Sequence, residues 1–372
     1  MKDEEETVIL TSQDIHRVIE NVGINKFMDE LIEEVKNAFL DYKKGNITAR
    51  PRTPDSGYLW EKEDGRTIEV MHASNKDACF KIVNYHPKNS ELGLPTVMAT
   101  GIYLDVKTGF PKMIADMTLL TALRTGAASA VATQLLARKD SKILGIIGAG
   151  FQGEANLHAL SRVMRDLEEV CVYDINDQIA QSFAERMEKI CNVRIEVVSD
   201  VQSLVKRSDV LATCTYANRV VVKNDWVKEG THINAVGADT RNKQELDYRI
   251  ISRAKVVVDL RSQSISEGEI NIPIRTGRYR EDDIYADLGE IIEYTEKMGY
   301  IKRVKEKVMG KGKRGRTNDN EITIFDSTGT SFEDLAALRL LSKYLNEEYG
   351  KRLKFIYIPP DPEQRSCYSP FV

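Results

Sequence analysis

Apolar residues recur along this chain in three rhythms, and each rhythm predicts a different kind of element. Between 12 and 45, "TSQDIHRVIENVG" reads as a start signal and the run "KFMDELIEEVKNAFLDYKKG" as a helix. Phe27, Leu31, Val35 and Phe39 fall four apart and make one apolar stripe. From 57 to 110 the rhythm shortens. "TIEVMHA", "ACFKIVNYH" and "PTVMATGIYLDVKTG" read as strands between turn residues, with Asp105 to Gly109 as a hairpin loop. "MTLLTALRTGAASAVATQLLAR", 117–138, reads as a long helix capped by Asp116, and its small residues from Gly126 to Ala132 suit close packing. After 141 strands and helices alternate: "KILGIIG" before a helix at 152–166, "EEVCVYD" before a helix at 177–190, then "RIEVVSD", "SDVLATCTY", "THINAVG" and "AKVVVDL". Alternation of this kind predicts a doubly wound parallel sheet. "EITIFDSTGTSFEDLAALRLLSKYLNEEYG" closes the pattern with a strand, a glycine turn and an amphipathic helix.

Length and composition narrow the classes. A chain of 372 residues suggests two domains, and 42% hydrophobic with 30% charged residues is ordinary for a soluble globular protein. A net charge of −4 argues against nucleic acid or a membrane surface as the main partner. No apolar run approaches the roughly 20 residues of a membrane span, and the acidic "MKDEEETVIL" lacks the apolar core of a signal peptide, so a cytoplasmic location is expected. Cys79, Cys171, Cys191, Cys214 and Cys367 are scattered without C-x-x-C spacing, and the five histidines form no H-E-x-x-H. Neither a disulfide framework nor a metal site is indicated. The basic stretch 303–320 reads as an exposed loop, with a phosphate or acidic-partner site as the alternative.

The junction of "KILGII" with Gly148-Ala149-Gly150-Phe151-Gln152-Gly153 is a full G-x-G-x-x-G. The first glycine makes the turn, the second lets backbone approach a pyrophosphate, and the third lets helix and strand pack closely. Asp174 ends the next strand, 26 residues after Gly148, where a carboxylate can accept from a ribose hydroxyl. A purely structural glycine turn is the alternative. No arginine follows Asp174, which favours NAD over NADP. The loops 213–218 and 234–239, at further strand ends, are expected to face the cofactor.

Before this cradle lie cations in unusual settings. Lys81 sits between Phe80 and Ile82 in a strand, Arg124 interrupts an apolar helix, and Arg52 follows Pro51 in a turn. Period-2 alternation could put Lys81 on a solvent face. Arg124 could be one half of a structural ion pair. Glu69 could be an edge-strand charge or a hydrogen-bonded structural carboxylate.

Together, "FKIVNYHPKN", "TVMATGIYLDVKTGFP", "LTALRTGAASAVA", "IGAGFQGE", "NAVGAD…K" and "TIFDSTG" resemble the ornithine cyclodeaminase/μ-crystallin family over about residues 14 to 350, most of all its bacterial ornithine cyclodeaminase branch. The resemblance implies a Rossmann domain, here 126–325, inserted into a second α/β domain, here 1–125 and 326–372, that binds substrate and builds a homodimer. It implies that Arg52, Lys81 and Arg124 gather at a substrate carboxylate, that Glu69 lies near the substrate amine, and that Asp239 is the acid/base with Thr328 beside substrate. By the same resemblance Thr96, Arg124, Phe151, Gln152, Asp174, Thr215, Val236, Gly237, Ala238, Asp239, Lys243 and Ser327 join Gly148, Gly150 and Gly153 as cofactor contacts. The P-x-T context carries the family arginine to Arg52 rather than Arg50. The region 53–68 is longer than in those relatives, and the basic stretch 303–320 is distinctive.

The implied reaction on L-ornithine moves hydride from Cα to NAD⁺, lets the δ-amine attack the imine with loss of ammonia, and returns the hydride to give L-proline. Cations fix and orient the carboxylate, and Asp239 shuttles protons. Lysine as substrate, a net redox enzyme of the family (amino acid dehydrogenase, ketimine reductase or N-carboxyalkyl amino acid dehydrogenase) and a crystallin- or hormone-like binding protein are the alternatives. Lys81, Arg124 and Asp239 together speak against the last.

Overall fold

Two eight-stranded sheets organise the chain, and the residues between and above them form the cleft described below. The computed structural model describes residues 6–52, 58–61, 66–304 and 312–353. Parts of the long region 53–68, the core of the basic stretch at 305–311 and Cys367 lie outside the described residues.

The first sheet is mixed. Its order is Lys351–Leu353, Thr7–Leu10, Pro111–Asp116, Val97–Asp105, Asp77–Tyr85, Thr67–Ser74 and Thr48–Ala49, with Tyr58–Glu61 also pairing to Thr67–Ser74. The strand Asp77–Tyr85 keeps its period of two but inverts the usual polarity. Asp77, Cys79 and Lys81 point inward, while Phe80 and Ile82 are 46% and 44% exposed. The solvent-face alternative for Lys81 is thereby removed.

The second sheet is parallel throughout: Arg194–Val197, Glu169–Tyr173, Ile143–Ile147, Val210–Thr213, His232–Ala235, Thr323–Asp326, Lys255–Val258 and Ala286–Asp287. Chain direction of winding reverses between Ile143–Ile147 and Val210–Thr213, so a crevice opens beyond their carboxyl ends. This is the doubly wound Rossmann arrangement that the alternation predicts.

The helix Thr118–Leu136 packs on Ile24–Lys43, Phe151–Val163 and Ser331–Lys343. It is buried on nearly every side, as a helix apolar all round must be. Gly126 allows the approach to Phe151–Val163, since a Cβ there would meet the Ala155 carbonyl oxygen at 2.4 Å.

Four expectations need correction. The segment expected as a start signal is itself a helix, Ser12–Val22, set off from Ile24–Lys43 by Gly23 at φ +87°. The N-cap of Thr118–Leu136 is Met117; Asp116 instead accepts the Thr118 N–H from one residue further back. The helix after the glycine motif runs Phe151–Val163, starting on the motif itself. The last helix, Ser331–Lys343, is not amphipathic, being buried all round from Ser331 to Leu338.

Within the basic stretch, residues 312–314 and 317–320 are exposed, and Arg316 is tied down. Its guanidinium donates to the carbonyls of Leu136, Gly230 and Glu321, stapling the segment to the end of the long helix. Glu169, Cys171 and Glu196 lie within metal-ligand spacing of one another, but Arg207 already donates to both carboxylates. No helix among the described residues is long and apolar enough to cross a membrane.

Candidate active site

A cavity of about 600 Å³ lies between the two sheets, walled by strand ends and loops of both. At one end the glycine motif sets its shape. Gly148 has φ +101°, and a Cβ on it would meet the Cys214 carbonyl oxygen at 2.6 Å. A Cβ on Gly153 would meet the Gly148 carbonyl oxygen at 2.1 Å, which is the helix packed on the turn. A Cβ on Gly150 would meet nothing within 4 Å, so the backbone there borders open space at the start of Phe151–Val163. Asp174 accepts from the Ala149 N–H at 2.9 Å, locking the next strand's carboxylate onto the turn. Two wall atoms, Ser327 Oγ and Gln152 Oε1, are buried without a hydrogen-bond partner. Open space at a helix N-terminus, a carboxylate at the second strand end and unanswered polar atoms together fit a dinucleotide.

At the other end the three cations converge. Lys81 is wholly buried; its Nζ lies 2.7 Å from Asp334 Oδ1 and 3.5 Å from Thr121 Oγ1. Burial, with Arg124 nearby, brings its ammonium down to about 8 despite Asp334. Arg124 donates from Nε to Asp334 at 3.0 Å and from one terminal nitrogen to Glu333 at 2.8 Å. It therefore makes the ion pair that its sequence setting allows and also lines the cavity. Burial pushes Glu333 up to about 7, with Arg124 working against it. Gly329, at φ +78°, takes a backbone conformation that a side chain would strain, and a Cβ there would also crowd the Arg124 guanidinium.

Arg52 closes this end. It donates to Glu69 at 2.5 Å, to the Asp239 carbonyl at 2.9 Å and to the Thr328 carbonyl at 3.0 Å, so one guanidinium joins three parts of the wall. Glu69 is correspondingly buried as that cation's partner. The Asp239 carboxylate lies 2.7 Å from Lys243 Nζ and keeps a 41% exposed side chain. Partial loss of hydration works to raise its pKa, but Lys243 and Arg52 outweigh it and hold the group below the usual carboxylate range.

Thr96, Phe151, Thr215, Val236, Gly237 and Lys243 also border the cavity, so nearly all the residues expected at a cofactor or substrate meet in one place. Gly153 and Ala238 do not line it: the first is packing, and the second is fully buried. Thr328 lines it, but its hydroxyl is engaged with Asp259 at 3.0 Å and Gln263 at 2.8 Å. Sequence reasoning missed Glu333 and Asp334, for which two adjacent acids inside an apolar run were the available signal. It also missed Asp259, Gln263 and Glu245, which hold wall loops from behind. Glu245 accepts the N–H groups of Thr215 and Gly237 at 2.7 and 3.0 Å, and Asp259 those of Thr328 and Gly329 at 2.6 and 2.7 Å.

The family model described as ornithine cyclodeaminase/mu-crystallin matches residues 12–348. The chain belongs to that family. Within the ornithine cyclodeaminase/mu-crystallin family, it is 39% identical over 357 residues to an alanine dehydrogenase of Archaeoglobus fulgidus, covering 95% of this chain and 100% of that one. It is 32% identical over 350 residues to an ornithine cyclodeaminase of Brucella abortus, covering 93% and 88%. Among solved structures, an archaeal alanine dehydrogenase dimer with bound NAD superposes with a TM-score of 0.82 at 38% identity, covering 94% of this chain and 99% of that one. The Δ1-pyrroline-2-carboxylate reductase of Thermococcus litoralis, in complex with NADH and L-proline, gives 0.82 at 36%, covering 93% and 100%.

Proposed function

We propose that this cavity binds NAD and exchanges hydride with the α-carbon of an α-amino acid whose side chain is neutral, as an alanine dehydrogenase does. One observation carries the choice of side chain. At the substrate end each carboxylate is already answered by a cation: Glu69 by Arg52, Asp239 by Lys243, Glu333 by Arg124, and Asp334 by Lys81 and Arg124. A zwitterion with a neutral side chain keeps that balance, whereas a second ammonium adds a charge that no spare acid among the described residues meets. Met71 and Val83, beside Lys81 on the sheet, supply apolar wall.

When bound, NAD supplies a hydride acceptor in one direction and a donor in the other. Lys81 and Arg124 bind the substrate carboxylate and so orient Cα–H. Asp239, held ionised, takes the proton that the ammonium must lose before hydride can leave and releases it to solvent through its exposed edge; ionised again, it takes a proton from the water that attacks the imine and returns that proton to the departing ammonia. Buried Asp334 and Glu333 keep the two cations in place.

Ornithine cyclodeamination is the second reading. It is favoured by the half-exposed Asp239 carboxylate, which could equally take a proton from a δ-amine, and by the relatives of that activity. The test is purified protein with NAD⁺ and either L-alanine or L-ornithine, following ammonia, proline and NADH absorbance. NADH and ammonia formed together from alanine support the first reading. Proline and ammonia in equal amounts from ornithine, without net NADH, replace it with the second. Silence with both and with other amino acids, imines and NADH overturns both.

A further inference from the structure

Across the cavity mouth, three side chains from three segments meet around one charge. Tyr85 ends the strand Asp77–Tyr85 of the first sheet, Tyr216 follows the strand Val210–Thr213 of the second, and Lys243 follows the loop after His232–Ala235. The two rings lie 4.9 Å apart, inclined by 38°. Lys243 Nζ is 4.5 Å from the centre of the Tyr216 ring and 4.9 Å from that of Tyr85. Lys243 is 8% exposed, and its side chain's hydrogen bond is the one to Asp239. An ammonium with so little water is held by one carboxylate and two π faces, although the Tyr216 ring itself is 49% exposed.

We propose that Tyr216 and Tyr85 are positioning residues: their rings clamp the Lys243 ammonium against Asp239 and so keep that carboxylate ionised and aimed for proton transfer. The proposal rests on the reading of Asp239 as the base. The groups facing Asp239 are Lys243 on its own segment, Arg52 with Glu69 behind it, Tyr85 from the first sheet, and Tyr216 by way of Lys243. Arg52 is anchored by Glu69 and Thr328 whatever Lys243 does. Lys243 depends on the rings. Loss of a ring frees the lysine to swing into solvent, and its effect on Asp239 goes with it.

Two measurements test this. The first is the pH profile of kcat/KM in the oxidative direction for Tyr216→Leu and Tyr216→Phe. The leucine variant is expected to move the acid limb upward by about one pH unit, a tenfold loss below that limb, while phenylalanine, which keeps the π face, leaves the limb in place. An unmoved limb in Tyr216→Leu, or an equal shift in Tyr216→Phe, overturns the proposal. The second needs no turnover: a double-mutant cycle on unfolding by urea with Tyr216→Leu, Lys243→Met and the pair. Coupling of roughly threefold or more in the unfolding constant supports the clamp, and additive effects refute it. Coupling in a protein that turns over no amino acid would uphold the clamp, and would overturn both the catalytic half of the proposal and the functional reading it rests on.

Discussion

An ammonium as enclosed as that of Lys81 keeps its proton only while nearby anions offset its lost hydration, and this gives the site a pH signature. With its pKa brought down to about 8, the free enzyme loses the cation as pH rises through that value. Affinity for a substrate carboxylate falls with it. We expect kcat/KM to drop toward tenfold per pH unit above about 8, and Lys81→Arg, whose charge persists, to lose this limb while binding substrate less well. Steady-state kinetics between pH 7 and 10 check it; a flat profile removes Lys81 from substrate binding. For Asp239→Asn, the expected result is NADH binding within a few-fold of the unmodified protein and turnover lowered by 10² or more. Fluorescence titration and a single-turnover assay would show whether the two separate. Undiminished turnover would assign the proton transfer elsewhere.

At the scale of elements, two glycines of one motif make opposite predictions. Gly153→Val drives a side chain into the Gly148 carbonyl, so helix and strand must part, and both melting temperature and NADH affinity should fall. Gly150→Val projects into open space; the fold should melt within a degree or two of the original while NADH affinity falls at least tenfold. Equal melting losses in both would show that Gly150 is a packing position. This motif was legible in the sequence because its chemistry is local, from the turn to Asp174 within one strand–helix–strand unit. The substrate end was legible only in part. Lys81, Arg124 and Arg52 stood out as charges in apolar or turn settings, but the acids that place two of them, Glu333 and Asp334, come about 210 to 250 residues later. No local pattern reports a pairing of that range. The final helix was misread for the same reason: its polar face is buried against distant cations, which a helical period counts as solvent-facing.

For the whole molecule, two buried histidines set an acid response. Burial lowers His232 to about 3 and His158 to about 4. Below about 6.5 the unfolded chain takes up protons that these rings refuse in the folded state, so stability falls with pH, by up to about 1.4 kcal/mol per unit for each ring. Asp326, Glu269, Glu245 and Asp259, whose pKa values burial raises, act in the opposite sense. The comparison that isolates one ring is His232→Asn, whose urea stability between pH 6.5 and 4 should decline less steeply. An identical slope would contradict the burial of a neutral imidazole. On the outer face of the first sheet, Phe80 stands opposite Ile102 with Ile82 beside them, all exposed. An apolar patch in such a place marks an interaction surface, and the homodimer expected from the family resemblance would bury it there. Light scattering should give twice the chain mass, and Ile82→Glu should weaken that association; a monomer at micromolar concentration would refute it.

The strand Thr323–Asp326 sits inside the parallel sheet, between His232–Ala235 and Lys255–Val258. It runs directly on through Gly329 into the helix that carries Glu333 and Asp334. On the ribosome, therefore, some 320 residues emerge before the nucleotide-binding half can close its sheet, and the anchor for substrate is completed within a dozen residues more. A nascent chain halted at 320 would own every glycine of the motif and all three cations of the substrate end, yet have neither half finished. Maturation of the two halves is thereby a single late event.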